Sequence, residues 1–365
     1  MRLFFLTAGV LSVLIAGCSK ENPVRTVDVD SYVYEPIRVT GAYVAMAEKP
    51  DATRALLVGD EAKKLSPTFK NAGVRPLTSL DGKFDVIVVS CGEMSAGSCA
   101  RMAAHLSENG VMMWMMDMRG VTSARFRSMV RSFDLESVHL WMPGESQWLL
   151  VGRRVPRKVR LSAMLDVFAR EGTFYDLEKA RCGTLPELFA SYAGTREDIL
   201  PAFVALTQSD EVRPANFLSR KVAPVDWIST EGMDEDIARD VLSEMRSVQV
   251  VRRQVVEGAL VAATARDKKD EERATDIWAR SFLRNPRDLF LLERMDRLER
   301  NAQGFLAVGK VLQAMKCYET LVLISPNDAS AVRNFGLCLK RIGKADLADK
   351  VLARAKALVD QAQAH

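Results

Sequence analysis

Between residues 54 and 152, short unbroken apolar runs alternate with longer stretches of mixed polarity. Ala55-Leu56-Leu57-Val58-Gly59, Phe84-Asp85-Val86-Ile87-Val88-Val89-Ser90 and Gly110 to Met116 are each too short for a buried helix. Phe84 to Ser90 is also rich in β-branched residues, and all three runs read as strands buried on both faces. The stretches between them, Glu61 to Asn71 with Gly73 as its stop, Ser98 to Ser107, and Ala124 to Phe133, read as helices. Ser137 to Trp141 and Gln147 to Gly152 are two further strands, with Pro143-Gly144-Glu145 between them, and are close enough to pair as a hairpin. The alternation predicts a three-layer α/β sheet with helices on both faces.

After Trp227 the strand-like runs stop. Asp234 to Arg266 has helical composition throughout, and Gly and Pro become sparse. Setting Pro326 as the closing proline of a unit from Met295 to Asp328 makes a 34-residue spacing visible. That unit carries Ala302, Phe305, Ala314, Tyr318 and Pro326, and the following unit, Ala329 to Ala362, carries Gly336, Leu339, Ala348, Leu352 and Ala355 in register. Stepping back to Pro286 gives Val255 to Asp288 with Ala262, Ala265, Ala274 and Trp278, offset by a six-residue insertion. Small residues let two helices of a hairpin approach, larger ones fill the groove between hairpins, and Pro ends the second helix. The spacing and residue types resemble tetratricopeptide repeats, and three units meet the usual minimum for a stable stack. The resemblance implies binding of a protein or peptide partner in a concave groove.

The N-terminus changes the picture again. Arg2 precedes an apolar run from Leu3 to Ile15, which at about 1.5 Å per residue is too short to cross a bilayer core of roughly 30 Å. It has the length of a signal-peptide core. Ile15-Ala16-Gly17-Cys18 then resembles the lipobox of bacterial lipoproteins. The resemblance implies cleavage between Gly17 and Cys18, acylation of Cys18 and, with Ser19 rather than Asp behind it, an outer-membrane anchor facing the periplasm. Three acyl chains at about 0.8 kcal/mol per buried methylene hold a chain stably. Lys20 to Val29 reads as a polar tether. The expected organisation is thus a signal peptide at 1–17, a lipidated tether at 18–29, an α/β domain at 30–227 and helical repeats at 228–365.

Composition narrows the chemistry. The 365 residues are 48% hydrophobic and 27% charged, an ordinary globular mix, and 51 Lys+Arg against 47 Asp+Glu leave no electrostatic footprint for nucleic acid. The histidines are His105, His139 and His365, too few for a His-rich metal site. Besides Cys18 there are Cys91, Cys99, Cys182, Cys317 and Cys338, an odd number without CxxC or zinc spacing, so at least one thiol stays free. Cys317 and Cys338 fall on helices that pack together, as a disulfide or as two buried thiols. Met112-Met113-Trp114-Met115-Met116-Asp117-Met118 has the softness of a copper site, but adjacent strand residues face opposite ways and the run reads as core. Ser98-Cys99 with His105 lacks an orienting acid and reads as ordinary helix surface and packing.

Leu56-Leu57-Val58-Gly59, Phe84 to Val89, Leu106 to Val111, Phe126 to Trp141 and Trp148 to Gly152, in that order, resemble the spermidine synthase branch of the class I methyltransferase fold. Leu185 to Phe203 and Val212 to Arg220 extend the likeness, which covers roughly residues 30 to 222. The family binds decarboxylated S-adenosylmethionine in a Gly-rich turn after the first strand. Here that turn is Gly59-Asp60-Glu61-Ala62-Lys63-Lys64, with one Gly and two acids. Only 24 residues separate Gly59 from Phe84, leaving Val74 to Lys83 room for one short strand, so the unit bearing the family's ribose-binding acid is expected to be deleted. Where the family's catalytic Asp closes the next strand stands Ser90, no base near neutral pH, and Asp85 lies five residues earlier. Gly59, Asp60, Asp85 and Ser90 are therefore the candidate vestiges of a cofactor site, with no catalytic residue, cofactor or metal expected. The expected function is a membrane-anchored, non-catalytic adaptor or assembly factor. An aminopropyltransferase-like enzyme and a ligand-binding lipoprotein reusing the nucleoside cleft remain the alternatives.

Overall fold

The computed structural model describes residues 34–170, 172–173, 176, 184–199, 210–212 and 225–363. Gly17, Cys18, the tether at 20–29, Cys182 and the segments 200–203 and 213–220 lie outside them. The chain divides into two compact units, one of residues 34–256 with 288–290 and one of 257–287 with 291–365.

The first unit opens with α1 (Tyr34–Glu48), a helix the sequence reading did not assign. Ala42, Tyr43, Val44, Ala45, Met46 and Ala47 are all buried, so this stretch is enclosed on every side. It leads into β1 (Arg54–Val58). The helix expected over Glu61 to Asn71 is two short ones, α2 (Asp60–Lys63) and α3 (Ser66–Asn71), because Pro67 fits the first turn of a new helix rather than the middle of an old one. β2 (Arg75–Leu77) and β3 (Phe84–Ser90) follow. Next come α4 (Ala96–Ala103), β4 (Leu106–Asp117), α5 (Ser123–Ser132), β5 (Ser137–Trp141) and β6 (Gln147–Arg153). α4 begins earlier than expected because the Ser95 side chain caps it by accepting from Ser98 N, and it ends earlier because the chain enters β4 at Leu106. The unit continues through β7 (Val159–Arg160), α6 (Leu161–Phe168), α7 (Leu185–Phe189), β8 (Tyr192–Thr195) and β9 (Ile228–Ser229).

Seven strands form one sheet in the order β2-β1-β3-β4-β6-β5-β8. β2, β1, β3 and β4 run parallel, whereas β6, β5 and β8 are added antiparallel, with β5 and β6 paired as the expected hairpin. β7 and β9 pair separately in parallel. Alternation along β4 and β6 sorts the core into two layers. Met113, Leu149 and Val151 join the cluster around α1, α3, α6 and α7. On the other face Trp148 meets Phe126 of α5 edge-on at 5.5 Å, and Trp114 lies 6.3 Å from Phe133. The methionine-rich run is therefore split between the two faces, with Met112, Met113 and Met116 buried. Gly152 is required there, since a Cβ would lie 2.6 Å from Leu135 and 2.8 Å from Phe133.

The rest is helical: α8 (Glu235–Ala263), α9 (Lys268–Arg284), α10 (Leu289–Ala307), α11 (Val311–Ile324), α12 (Ala329–Arg341) and α13 (Ala345–Gln363). The division between the units falls within α8. Pro286 and Pro326 each stand three residues before the next helix, as the 34-residue reading requires. α10 has 19 residues and α12 has 13, a difference equal to the six-residue offset expected between the units. Ala302, Ala314, Tyr318, Leu339, Ala348, Ala274 and Trp278 are buried, and Phe305 and Leu352 are half-buried. One register is corrected. In α12 a Cβ on Gly336 would lie 2.9 Å from Leu352 of α13, and the matching position in α8 is Gly258, 2.6 Å from Trp278 of α9, not Ala262. α9 starts about one helical turn early, which moves the small residue back by four.

Candidate functional site

In a sheet whose strands are laid down outward from the middle, a ligand crevice forms at the carboxyl ends of the two strands where the order reverses. The chain leaves β1 for β2 on one side and returns to β3 on the other, so that place is between Val58 and Ser90. Gly59, Asp60 and Ser90 converge there as the sequence reading grouped them. Gly59 has φ +91°, and a Cβ on it would sit 2.1 Å from the Ser90 carbonyl oxygen and 2.5 Å from its Oγ. Ser90 Oγ accepts from Ala62 N at 3.0 Å and donates to Val58 O at 3.5 Å. The loop after β1 is thus fastened onto the end of β3 by the chain's own contacts.

The electrostatics oppose an anionic ligand. A helix N-terminus attracts negative charge, but the first turn of α2 already holds Asp60 and Glu61. Asp60 pairs with Lys63 at 3.2 Å and Glu61 with Lys64 at 2.5 Å.

Asp85 is separated from this group. It starts β3, and five residues at about 3.3 Å each put it roughly 17 Å from Ser90. Its carboxylate accepts from Thr53 N and Thr53 Oγ1, both at 2.9 Å, from Arg54 N at 3.2 Å and from Ser107 Oγ at 2.9 Å. Burial pushes this carboxyl up, and the hydrogen bonds from Thr53, Ser107 and Arg54 outweigh it, leaving it below the ordinary range. It holds the start of β1 to the irregular register shift of β4 and has no place in a cofactor cleft.

The short strand expected between α3 and β3 exists, as β2 beside β1. β2 runs directly into Thr78-Ser79-Leu80-Asp81, and neither helix nor strand intervenes before Phe84.

The remaining candidates do not assemble. Cys99 is buried, and burial pushes its thiol up. His105 lies beyond the end of α4, with Nδ1 3.1 Å from Gly82 O, while Ser98 Oγ meets Ser95 and Arg101. Cys91, Cys99, Cys317 and Cys338 are free thiols. Among the described residues there is no group of three or more metal-ligating side chains and no helix long and apolar enough to cross a membrane.

A buried polar cluster that sequence spacing did not signal joins α1 to the β5–β6 hairpin. Glu48 Oε1 accepts from His139 Nδ1 at 2.6 Å and Trp141 Nε1 at 3.1 Å, and Oε2 accepts from Arg153 Nη2 at 2.5 Å. Arg153 also donates to the Glu48 carbonyl and to Arg157 O. Burial raises the Glu48 carboxyl, but its pairing with His139 and Arg153 and the Trp141 hydrogen bond bring it below the ordinary range. Trp227 stacks near His139 with ring centroids 4.6 Å apart, and Tyr192 meets it edge-on at 5.8 Å. Glu48, His139 and Arg153 expose 4% or less of their surface. The cluster is an internal brace. A second brace within this unit is Arg252, which donates to Asp288 Oδ2 at 2.6 Å and Met142 O at 2.8 Å and lies over the Phe290 ring.

No family model matches the chain, and no curated protein matches it. The fold and this site define a mixed α/β unit whose switch-point loops are bonded to each other through Ser90, joined in one chain to a set of helical hairpins.

Proposed function

We propose that this chain is an envelope lipoprotein, anchored through acyl groups on Cys18, that acts without catalysis as an adaptor or assembly factor, holding a protein partner on tetratricopeptide-like hairpins. Its α/β unit is read as a truncated relative of the spermidine synthase branch of the class I methyltransferase fold. The observation that carries the reading is the repeated seat of a small residue under a large one, Gly258 under Trp278 and Gly336 under Leu352, which ties helices into a repeating stack. Such stacks present long faces to partners rather than a single enclosed pocket. The fastening of Gly59 to Ser90 supports the non-catalytic part.

Photo-crosslinking residues placed on exposed positions of α11 and α13 in the full chain, in a bacterial envelope, test the adaptor role. A discrete crosslinked partner is expected, and its absence at every position counts against the reading. The same cells test the anchor: labelled palmitate enters the wild-type chain and is lost in Cys18→Ala, together with membrane fractionation. Thermal unfolding with decarboxylated S-adenosylmethionine, S-adenosylmethionine or methylthioadenosine is expected to show no shift at millimolar ligand. A rise in the midpoint with any of them returns the enzyme and ligand-binding readings.

A further inference from the structure

The second unit contains a cleft of about 570 Å³ between α9 and α11. It is bounded by the second helices of two successive hairpins, so it is distinct from a groove lined by first helices. Its acids outnumber its bases, but most of them are engaged. Asp267 Oδ1 caps α9 by accepting from Lys269 N and Asp270 N, Glu272 pairs with Lys268 at 3.0 Å, and Asp276 pairs with Arg280.

Among the described residues Glu271 is unpaired but exposed, and Glu319 is unpaired and buried. Glu319 lines the cleft from α11, is 8% exposed, and has neither a hydrogen bond nor an ion pair among the described residues. Lys268 and Lys316 stand near it, but neither comes within ion-pairing distance. Most of Glu319 is buried but its carboxylate is not sealed from the cleft, so it is only partly hydrated there, and a cation entering the cleft can reach it. Burial accordingly pushes its carboxyl up, with Glu272 adding to the rise and Lys268 and Lys316 opposing it. A metal ion is a poor fit, since no three ligating side chains gather there among the described residues. An organic cation on an aliphatic stem is a good one. Ala279 and Leu323 offer apolar wall for the stem. The Thr275 and Thr320 hydroxyls donate to backbone carbonyls and keep their lone pairs for a donor.

We propose that the α9–α11 cleft receives a basic side chain, arginine or lysine, presented by a partner polypeptide, with Glu319 as its counter-ion. The proposal rests on the adaptor reading and names one contact of that partner. The cleft's volume suits a short peptide segment rather than a lone side chain.

The test uses the detergent-solubilised full chain and labelled Gly/Ser hexapeptides carrying one Arg, Lys or norleucine, read by fluorescence polarisation at low ionic strength. The Arg or Lys peptide is expected to bind about tenfold more tightly than the norleucine peptide, the scale of a charge-assisted hydrogen bond. Glu319→Gln, which keeps the shape and removes a strained charge, is expected to fold and to lose that preference. Equal binding of the norleucine peptide, or an unchanged preference in Glu319→Gln, overturns the proposal. Butylamine or butylguanidine competing as well as the peptides overturns the peptide source. Crosslinking separates this from the adaptor reading. A partner captured equally by wild type and Glu319→Gln overturns the cleft and leaves the adaptor standing. Charge-selective peptide binding with no captured partner overturns the adaptor and supports the cleft.

Discussion

Gly59 takes φ +91°, where a side chain is strained whatever the space around it, and the Ser90 carbonyl fills the space a Cβ would need. Gly59→Ala is therefore expected to destabilise the first unit by about 1–3 kcal/mol, or more if the loop cannot move. Ser90→Ala removes the hydroxyl that receives Ala62 N and is expected to lose about 1 kcal/mol. Urea unfolding of both variants measures this, and a near-neutral Gly59→Ala would mean that the two loops are not fastened. Glu48 is the other critical side chain. Replacing it by Ala leaves Arg153 buried without its counter-ion, a loss of about 3–5 kcal/mol by analogy with broken buried pairs.

The helices show the same logic over longer stretches. Gly336 and Gly304 both sit inside helices, but a Cβ on Gly336 meets Leu352 and one on Gly304 meets nothing within 4 Å. Gly336→Val is expected to cost about 1–3 kcal/mol through overpacking. Gly304→Ala is expected to stabilise by about 0.5–1 kcal/mol, because α10 gains a residue that loses less freedom on folding. Opposite shifts in unfolding midpoint check the pair, and shifts of the same sign would refute the hairpin register. α1 shows the effect of enclosure on a helix's pattern. Its run Ala42 to Ala47 has no polar stripe, because the helix lies between the sheet and α6 and α7 and every side meets protein.

The chain's response to pH combines carboxylates shifted in opposite directions. Glu48 and Asp85 lie below their ordinary values of 4.5 and 3.8, so their contribution is fully present above those values and is lost as pH falls through the lower folded ones. Glu319 lies above its ordinary value of 4.5, so folding favours its protonated form, and that advantage is present below 4.5 and lost as pH rises through the folded value. Glu319→Gln is expected to be more stable than wild type at neutral pH, with the difference shrinking towards pH 4. Glu48→Gln is expected to be less stable at neutral pH, with its deficit shrinking in acid below 4.5. Midpoints measured across pH 3 to 7 check both signs, and a Glu319→Gln chain less stable at neutral pH would show that the carboxylate is already paired.

Much of the architecture could be read from local pattern. Phe84–Ser90 and Ser137–Trp141 form strands with the expected ends, and Pro286 and Pro326 fall just before helices. These are properties of consecutive residues, since apolar period and helix punctuation act within a few positions along one segment. The sequence also placed Gly59, Asp60 and Ser90 together, because strand ends in an α/β sheet share one edge. It misassigned Ala262 because periodicity alone does not reveal where α9 begins, and it put Asp85 with the wrong group because a strand's two ends look alike in one dimension. The Glu48 brace had no local signal at all. Its partners lie 91 and 105 residues away, and a lone His, Arg or Glu carries no mark of its future neighbour. Sequence by itself thus determined most of the central strands and the C-terminal helices, whose periods are local. The tertiary structure alone decided that the loop after β1 bonds to Ser90, that Glu48 is matched and that Glu319 is not, because burial and charge pairing depend on side chains brought together from distant parts of the chain.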